Sequence, residues 1–450
     1  MIKEKENPLK KENKGFNQWM KTSNTFRIIS IGILILILLI PTSMVKNLIL
    51  ERKRSHSKIV KEISSKWGNE QTITSLVLSI PYKKYFKNRN NELVENIVYA
   101  HFLPKELKIN GEILTEIRYR SIYEVLLYNS KLKIEGKFLN PSFKDWSEIT
   151  EKNILLEDAF ISLGISDMRG IKDNLFLNWN GKQYDFNSGL ENDDVISSGV
   201  MVKIPLEMPE NSKFHKFSLD LNINGSEKLF FVPVGKSTEI NINSKWKTPS
   251  FDGQFLPDTR DISENGFSAT WKISHLNRNY PQKWLETKHK IDYSSFGLKL
   301  LIPANQYQKS MRSIKYAVLF IALTFLSFFF IEVTNKKKIH PIQYILVGLA
   351  LVIFFVLLVS ISEHLNFDIA FILSCIAVTT LITLYTKAIF KDKKLAGIIA
   401  SILIIIYGFI YTILQLEDFA LLIGSLGLFI VLTFAMYFSR KIDWYGKNKN

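Results

Sequence analysis

The sequence predicts a membrane α-helical protein of six spans, one N-terminal and five C-terminal, carrying a large, mainly antiparallel β domain. Three observations predict it. Six runs contain no charged residue: Ile28 to Val45, Tyr316 to Ile331, Ile342 to Ile361, Ile369 to Thr386, Ala396 to Leu416 and Phe419 to Ser439. Lys and Arg gather in alternate short connections between these runs. In the polar segment from about 47 to 314, the apolar period shifts from that of a helix to two.

Taken in order, a basic arm (1–27) leads into span 1 (28–46). A cleaved signal peptide is the competing reading of this run, but Thr42, Ser43, Met44 and Val45 offer no Ala-x-Ala-like site, so an uncleaved anchor is expected. Arg52 to Gly68 keeps helical spacing at Ile59, Val60, Ile63 and Trp67, which suggests a short amphipathic stalk. Phe217, Leu219, Leu221 and Ile223 then alternate with polar residues. LKING (Leu107 to Gly111), LNWNG (Leu177 to Gly181) and LNING (Leu221 to Gly225) are read as three strands ending in Asn-Gly hairpin turns. An echo between VLSIPY (Val77 to Tyr82) and MVKIPL (Met201 to Leu206) permits two related β-sandwich modules. The aromatic-rich stretch Trp246 to Trp284 fits a sandwich core better than a glycan or peptide groove, although both uses suit Trp and Tyr.

The five-span bundle (315–440) closes the chain, with a tail at 441–450. Twenty residues of helix reach roughly 30 Å, the thickness of a bilayer's hydrocarbon core, which the run from Ile342 to Ile361 matches. The basic arm, the loop with Lys336, Lys337 and Lys338, the loop with Lys387, Lys391, Lys393 and Lys394, and the tail all carry Lys or Arg. Ser362 to Asp368 and Gln415 to Asp418 carry neither. By the positive-inside rule both termini are cytoplasmic and 47–314 is periplasmic. This scatter of positive charge accounts for most of the net +16, so a nucleic-acid partner is not expected. Cys375, the single cysteine, falls inside a span and reads as a packing residue, so the outer domain has no disulfide.

Candidate functional residues are few. Glu363, His364, Glu417 and Asp418 fall at the outer ends of spans, where His with carboxylates could hold a divalent metal or act as a base, but their spacing matches no metal motif. His340 precedes Pro341, a residue suited to a helix's first turn, and is read first as a helix start. No nucleophile elbow, Walker loop or His-Glu-x-x-His is present, and no catalytic residue, metal or cofactor is assigned. The span centres carry only hydroxyls and glycines, such as Thr379, Thr383, Tyr407 and Gly408, which disfavours proton-coupled transport.

Several stretches resemble one family, the bacterial inner-membrane CreD proteins. They are QYQKSMRSIKYAVLFIALTFLSFFFIE (306–332), IHPIQYILVGLAL (339–351), SISEH (360–364), ITLY (382–385), YGFIYTILQLEDFALLIGSLGLF (407–429) and KIDWY (441–445). PSFDGQFLP and GFSATWKISHLNRNYPQ in the middle segment resemble it too. The resemblance implies one N-terminal span, a periplasmic domain and a C-terminal bundle. It further implies membership of the Cre regulon and a role in envelope integrity or an envelope stress response, without catalytic residues to carry over. The expected function is a non-enzymatic scaffold or binding protein in the bilayer, with an envelope protein or glycan as partner of the periplasmic domain. A transporter or export accessory subunit and an envelope-side hydrolase are the alternatives.

Overall fold

The computed structural model describes residues 24–88, 90–207, 213–286, 289–302, 306–335, 337–416 and 419–440. The basic arm before residue 24, Lys336, Glu417, Asp418 and the tail after 440 lie outside the described residues. The chain forms two compact units, Met1–Ser55 with Ala304–Asn450, and His56–Pro303.

Seven α-helices are described: α1 (Asn24–Trp67), α2 (Gln306–Lys315), α3 (Ala317–Thr334), α4 (Pro341–Ser362), α5 (Phe367–Phe390), α6 (Lys393–Gln415) and α7 (Ala420–Ser439). All except the short α2 are long and apolar enough to cross a membrane. In α1, Leu34, Leu38, Thr42, Val45 and Ile49 are buried at spacings of three and four, so they form one stripe. Ile33, Leu36, Ile40 and Met44 project from the rest of the helix and are exposed, as side chains facing lipid would be. The stripe seats on α4 because Gly348 has no side chain: a Cβ there would collide with Leu38 and crowd Phe325. Pro41 lies inside α1. One residue on, the Thr42 hydroxyl donates to the Leu38 carbonyl at 2.8 Å.

The centre of the bundle is aromatic. Tyr407 on α6 lies 4.5 Å from Phe320 on α3 and 4.8 Å from Phe354 on α4 by ring centroids. Phe371 on α5 closes on Phe354 at 5.4 Å. Asn366 caps α5 through Ile369 N–H at 2.9 Å, and Asp392 caps α6 through Lys394 N–H at 2.8 Å. The short connections are thus built from cap residues, which fixes neighbouring helices as antiparallel pairs.

The second unit is a β-sandwich of two sheets. One runs, in order, Pro249–Gly253, Phe296–Leu300, Lys228–Val232, Gln71–Lys87, Phe160–Ile165, Gly199–Lys203 and Asn187–Ser188, with Leu93–Phe102 also on Gln71–Lys87 and Lys283–Leu285 on Leu93–Phe102. The other runs Thr259–Ser263, Gly266–Ser274, Ser237–Ser244, Glu106–Arg120, Tyr123–Leu139, Phe214–Ser226, Phe176–Trp179 and Lys182–Asp185. Pairing is antiparallel except where Gln71–Lys87 meets Lys228–Val232 and where Glu106–Arg120 meets Ser237–Ser244. The inward residues of both sheets form one hydrophobic cluster, including the alternating Phe217, Leu219, Leu221 and Ile223. The two echoing segments are therefore not two modules: Gln71–Lys87 and Gly199–Lys203 lie in one sheet, on either side of Phe160–Ile165.

Of the three Asn-Gly pairs that end these segments, only one makes the expected turn. Asn180 (φ 51°) and Gly181 (φ 86°) join Phe176–Trp179 to Lys182–Asp185, the left-handed pair that a two-residue hairpin requires. Gly111 and Gly225 instead lie within strands, because a Cβ at Gly111 would strike Leu132 and Ile242, and one at Gly225 would strike the Tyr128 ring. Glycine there admits a neighbouring side chain rather than a bend.

The aromatic stretch fills the core, as its first reading expects. Trp271 is fully buried against Phe251 (5.7 Å) and Phe296 (5.8 Å). Near it in sequence, Trp284 packs 5.6 Å from His101.

His101 gives this unit an acid sensitivity. It is fully buried, with Nδ1 2.9 Å from the Ser79 hydroxyl, and burial pushes its pKa down to about 4. The folded value lies below the unfolded one of about 6.5, so the stabilisation is complete above pH 6.5 and is lost as pH falls towards 4, by up to about 3 kcal/mol. Asp194, 3.5 Å from Nε2, works in the opposite sense, since desolvation raises its pKa. Urea unfolding of the full chain at pH 7 and pH 4.5 should show the loss, and His101→Gln should flatten it. An unchanged pH profile in that variant would assign the acid sensitivity elsewhere.

Candidate functional site

The helical unit carries a carboxylate at each end of its bundle, one buried (Glu332) and one half-buried (Glu363), and each is met by an arginine from α1 and a tyrosine hydroxyl. Glu332, in the last turn of α3, is 3% exposed. It accepts from Tyr344 Oη at 3.0 Å and from Ile339 N–H at 3.3 Å, and Arg27 Nη1 lies 3.3 Å away. At the far end of α4, Glu363 accepts from Tyr307 Oη at 3.2 Å, with Arg52 Nε at 3.6 Å. Arg27 and Arg52 are about 38 Å apart along α1 at 1.5 Å per residue, so the pairs bracket the apolar length of that helix. A carboxylate removed from water needs such partners, and here they tie the first span to the end of the second, at Glu332, and to the end of the third, at Glu363.

Of the five residues singled out by sequence, Glu363, His364 and His340 are described, and His340 does not join the other two. Glu363 is engaged as above, whereas His364 beside it has an exposed side chain. Glu417 and Asp418 lie outside the described residues, and Asp368 accepts from Gln415 Nε2 at 2.6 Å. Among the described residues no three His, Cys, Asp or Glu side chains converge as a metal site would require. His340 lies at the opposite end of α4 from Glu363 and caps that helix. Its Nδ1 accepts from Ile342 N–H at 3.3 Å, and its own N–H donates to Gln343 Oε1 at 2.9 Å. His340→Asn should accordingly keep wild-type membrane abundance, while His340→Ala should cost about 1 kcal/mol in thermal unfolding. If both unfold at the wild-type temperature, the cap contributes nothing.

Around His340 is a cavity of about 480 Å³ between the start of α1 and the start of α4, with Arg27, Ser30, Glu332, Lys338 and Tyr344 on its walls. In the β unit, two hollows of about 910 and 610 Å³ share Asn178 and Ser218 and make one trough on the outer face of the sheet containing Phe214–Ser226. Its charges are largely paired: Lys137 with Glu106 and Lys133 with Glu135, both at 2.7 Å. Asn222 Nδ2 donates to Asp173 at 2.7 Å. Asn180 pins the adjoining hairpin, with its Oδ1 2.8 Å from Lys216 N–H and its Nδ2 3.0 Å from His215 Nδ1. The trough thus offers amides, hydroxyls and neutralised ion pairs, with the exposed Phe176 at its edge.

Ser79, His101 and Asp194 follow one another like a catalytic triad, but Ser79 and His101 are buried in the sheet, where a substrate cannot meet the hydroxyl. The residues that sequence reasoning missed are Arg27, Arg52, Tyr307 and Tyr344. A faint signal existed in the lone glutamates Glu332 and Glu363 that end two consecutive apolar runs.

Comparison with known proteins bears on the whole chain. The family model described as "Inner membrane protein CreD" matches residues 23–445. The protein of that description from Escherichia coli (strain K12) is 32% identical over 419 residues, covering 91% of each chain. Crystal structures of an M1 zinc metallopeptidase from Deinococcus radiodurans align over 38% of this chain and 39% or 38% of theirs at 9% identity and a TM-score of 0.17, too slight a likeness to carry any argument. The family match spans all six apolar helices and the β-sandwich alike: the chain belongs to the CreD family and is a multi-pass inner-membrane protein.

Proposed function

We propose that the protein supports envelope integrity or an envelope stress response as a non-enzymatic scaffold, with both termini cytoplasmic and the β-sandwich in the periplasm. The observation that carries this reading is the bundle's interior. Among the described residues of α3 to α7, the ionisable Asp, Glu, Lys and Arg side chains all lie in terminal turns, and the centre is the Phe320, Phe354, Phe371 and Tyr407 cluster. Coupled transport places charge near the bilayer centre, and a packed aromatic centre serves anchoring instead. The trough on the sandwich supplies the binding surface, and its paired charges suit a neutral polar envelope component such as a glycan strand better than a polyanion.

Membership of the Cre regulon accords with the family but rests on resemblance alone. The orientation rests on the distribution of Lys and Arg. Cysteines placed singly at 389 and 448 should resist a membrane-impermeant thiol reagent in intact cells, and one at 293 should react; the reverse pattern would invert the protein. Crosslinking in membranes followed by purification should recover an envelope component through the sandwich. Steady solute flux through purified protein in vesicles would overturn the scaffold reading in favour of a transporter.

A further inference from the structure

We propose that the cavity between the starts of α1 and α4 binds the phosphate of one anionic phospholipid. Its lining has an excess of cations. Lys338 is exposed and has no carboxylate partner among the described residues. The one acid among the described lining residues, Glu332, is spoken for: both oxygens are engaged by Tyr344, Ile339 N–H and Arg27. Arg27 is less fully used. Its side chain is 24% exposed and it approaches Glu332 through Nη1, so other N–H donors of the guanidinium fork remain to face the cavity. With Nδ1 of His340 accepting from the backbone, the imidazole proton sits on Nε2, which adds another donor beside the cavity.

The depth is that of lipid phosphates. Arg27 immediately precedes the apolar run of α1, and Lys338 and His340 immediately precede that of α4. Both runs therefore meet the membrane boundary at the cavity, where basic pockets between spans hold acidic head groups. The adjoining helix surfaces suit acyl chains, with Ile29 and Ile33 on α1 and Ile342 and Leu346 on α4 all exposed. At about 480 Å³ the cavity has room for a head group as well as a phosphate. A zwitterionic choline lipid would bring a cation to a wall already in cationic excess, so an anionic lipid is the better occupant.

The test uses the full chain in a neutral detergent, following its thermal midpoint as phosphatidylglycerol, phosphatidylcholine or inorganic phosphate is added. Phosphatidylglycerol should raise the midpoint, and the other two should not. Lys338→Gln should leave the lipid-free midpoint unchanged and weaken the apparent affinity for phosphatidylglycerol about fivefold. Lys393→Gln, an exposed lysine at the start of α6, should leave that affinity as it was. Native mass spectrometry should show one retained phosphatidylglycerol on the wild type and loss of it in Lys338→Gln. An equal response to phosphate alone would assign the site to a free anion and overturn the lipid. An equal response to phosphatidylcholine, or equal weakening by both lysine substitutions, would reduce the effect to unspecific adsorption and overturn the site.

Discussion

Arg27→Met should lower the stability of the helical unit by about 3 kcal/mol, the low end for breaking a buried ion pair, because Arg27 itself keeps some contact with water. The loss falls on Glu332, which stays buried with only Tyr344 and Ile339 N–H to hold its charge. Met retains most of the apolar stem of Arg, so packing changes little. The double variant Arg27→Met with Glu332→Gln removes the stranded charge while keeping a carbonyl for the tyrosine, and should recover to within about 1 kcal/mol of wild type. Thermal unfolding of the two variants in detergent gives the comparison. A double variant as unstable as the single would show that Arg27 acts through its bulk.

Trp271→Ala should destabilise the β-sandwich by about 3–5 kcal/mol, because it empties a site that is 0% exposed between Phe251 and Phe296. The Phe255 carbonyl also loses the indole N–H that donates to it at 3.3 Å. Trp271→Phe fills part of the space and should lose less than half as much. Limited proteolysis across a urea series reads this unit within the full chain, and cleavage of Trp271→Ala only at the wild-type urea concentration would contradict its place in the core.

The spans were legible in sequence because an uncharged run of helical length has few other uses, and the structure ends α4 and α5 within a few residues of the runs that announce them. The sandwich was legible from Phe217 to Ile223, where alternation maps directly onto one face. Asn-Gly was less informative, since the same dipeptide turns at Asn180 and Gly181 but lies flat in a strand at Gly111 and Gly225, according to which side chain approaches from another strand. The start of α4 was readable from Pro341, but its cap also needs Gln343 to reach back. The arginine clamps were not readable at all. Arg27 and Glu332 lie in different spans with the sandwich between them in sequence, and no local pattern announces which acid an arginine will meet. The trough was equally hidden, because its lining comes from strands that become neighbours only when the sheet forms.

The two clamps also impose a timetable on synthesis. Each arginine of α1 precedes its glutamate by about 300 residues, so at roughly 5–20 residues per second the ribosome needs about 15–60 s to supply the partner. Through that interval the first span waits in the bilayer with a guanidinium near each boundary, reaching for head groups and water. The whole sandwich is made in the same interval, and it can fold before the bundle exists. Lodging of α1 against α4 is then a late event, and a nascent chain released before Glu363 would leave its first span undocked.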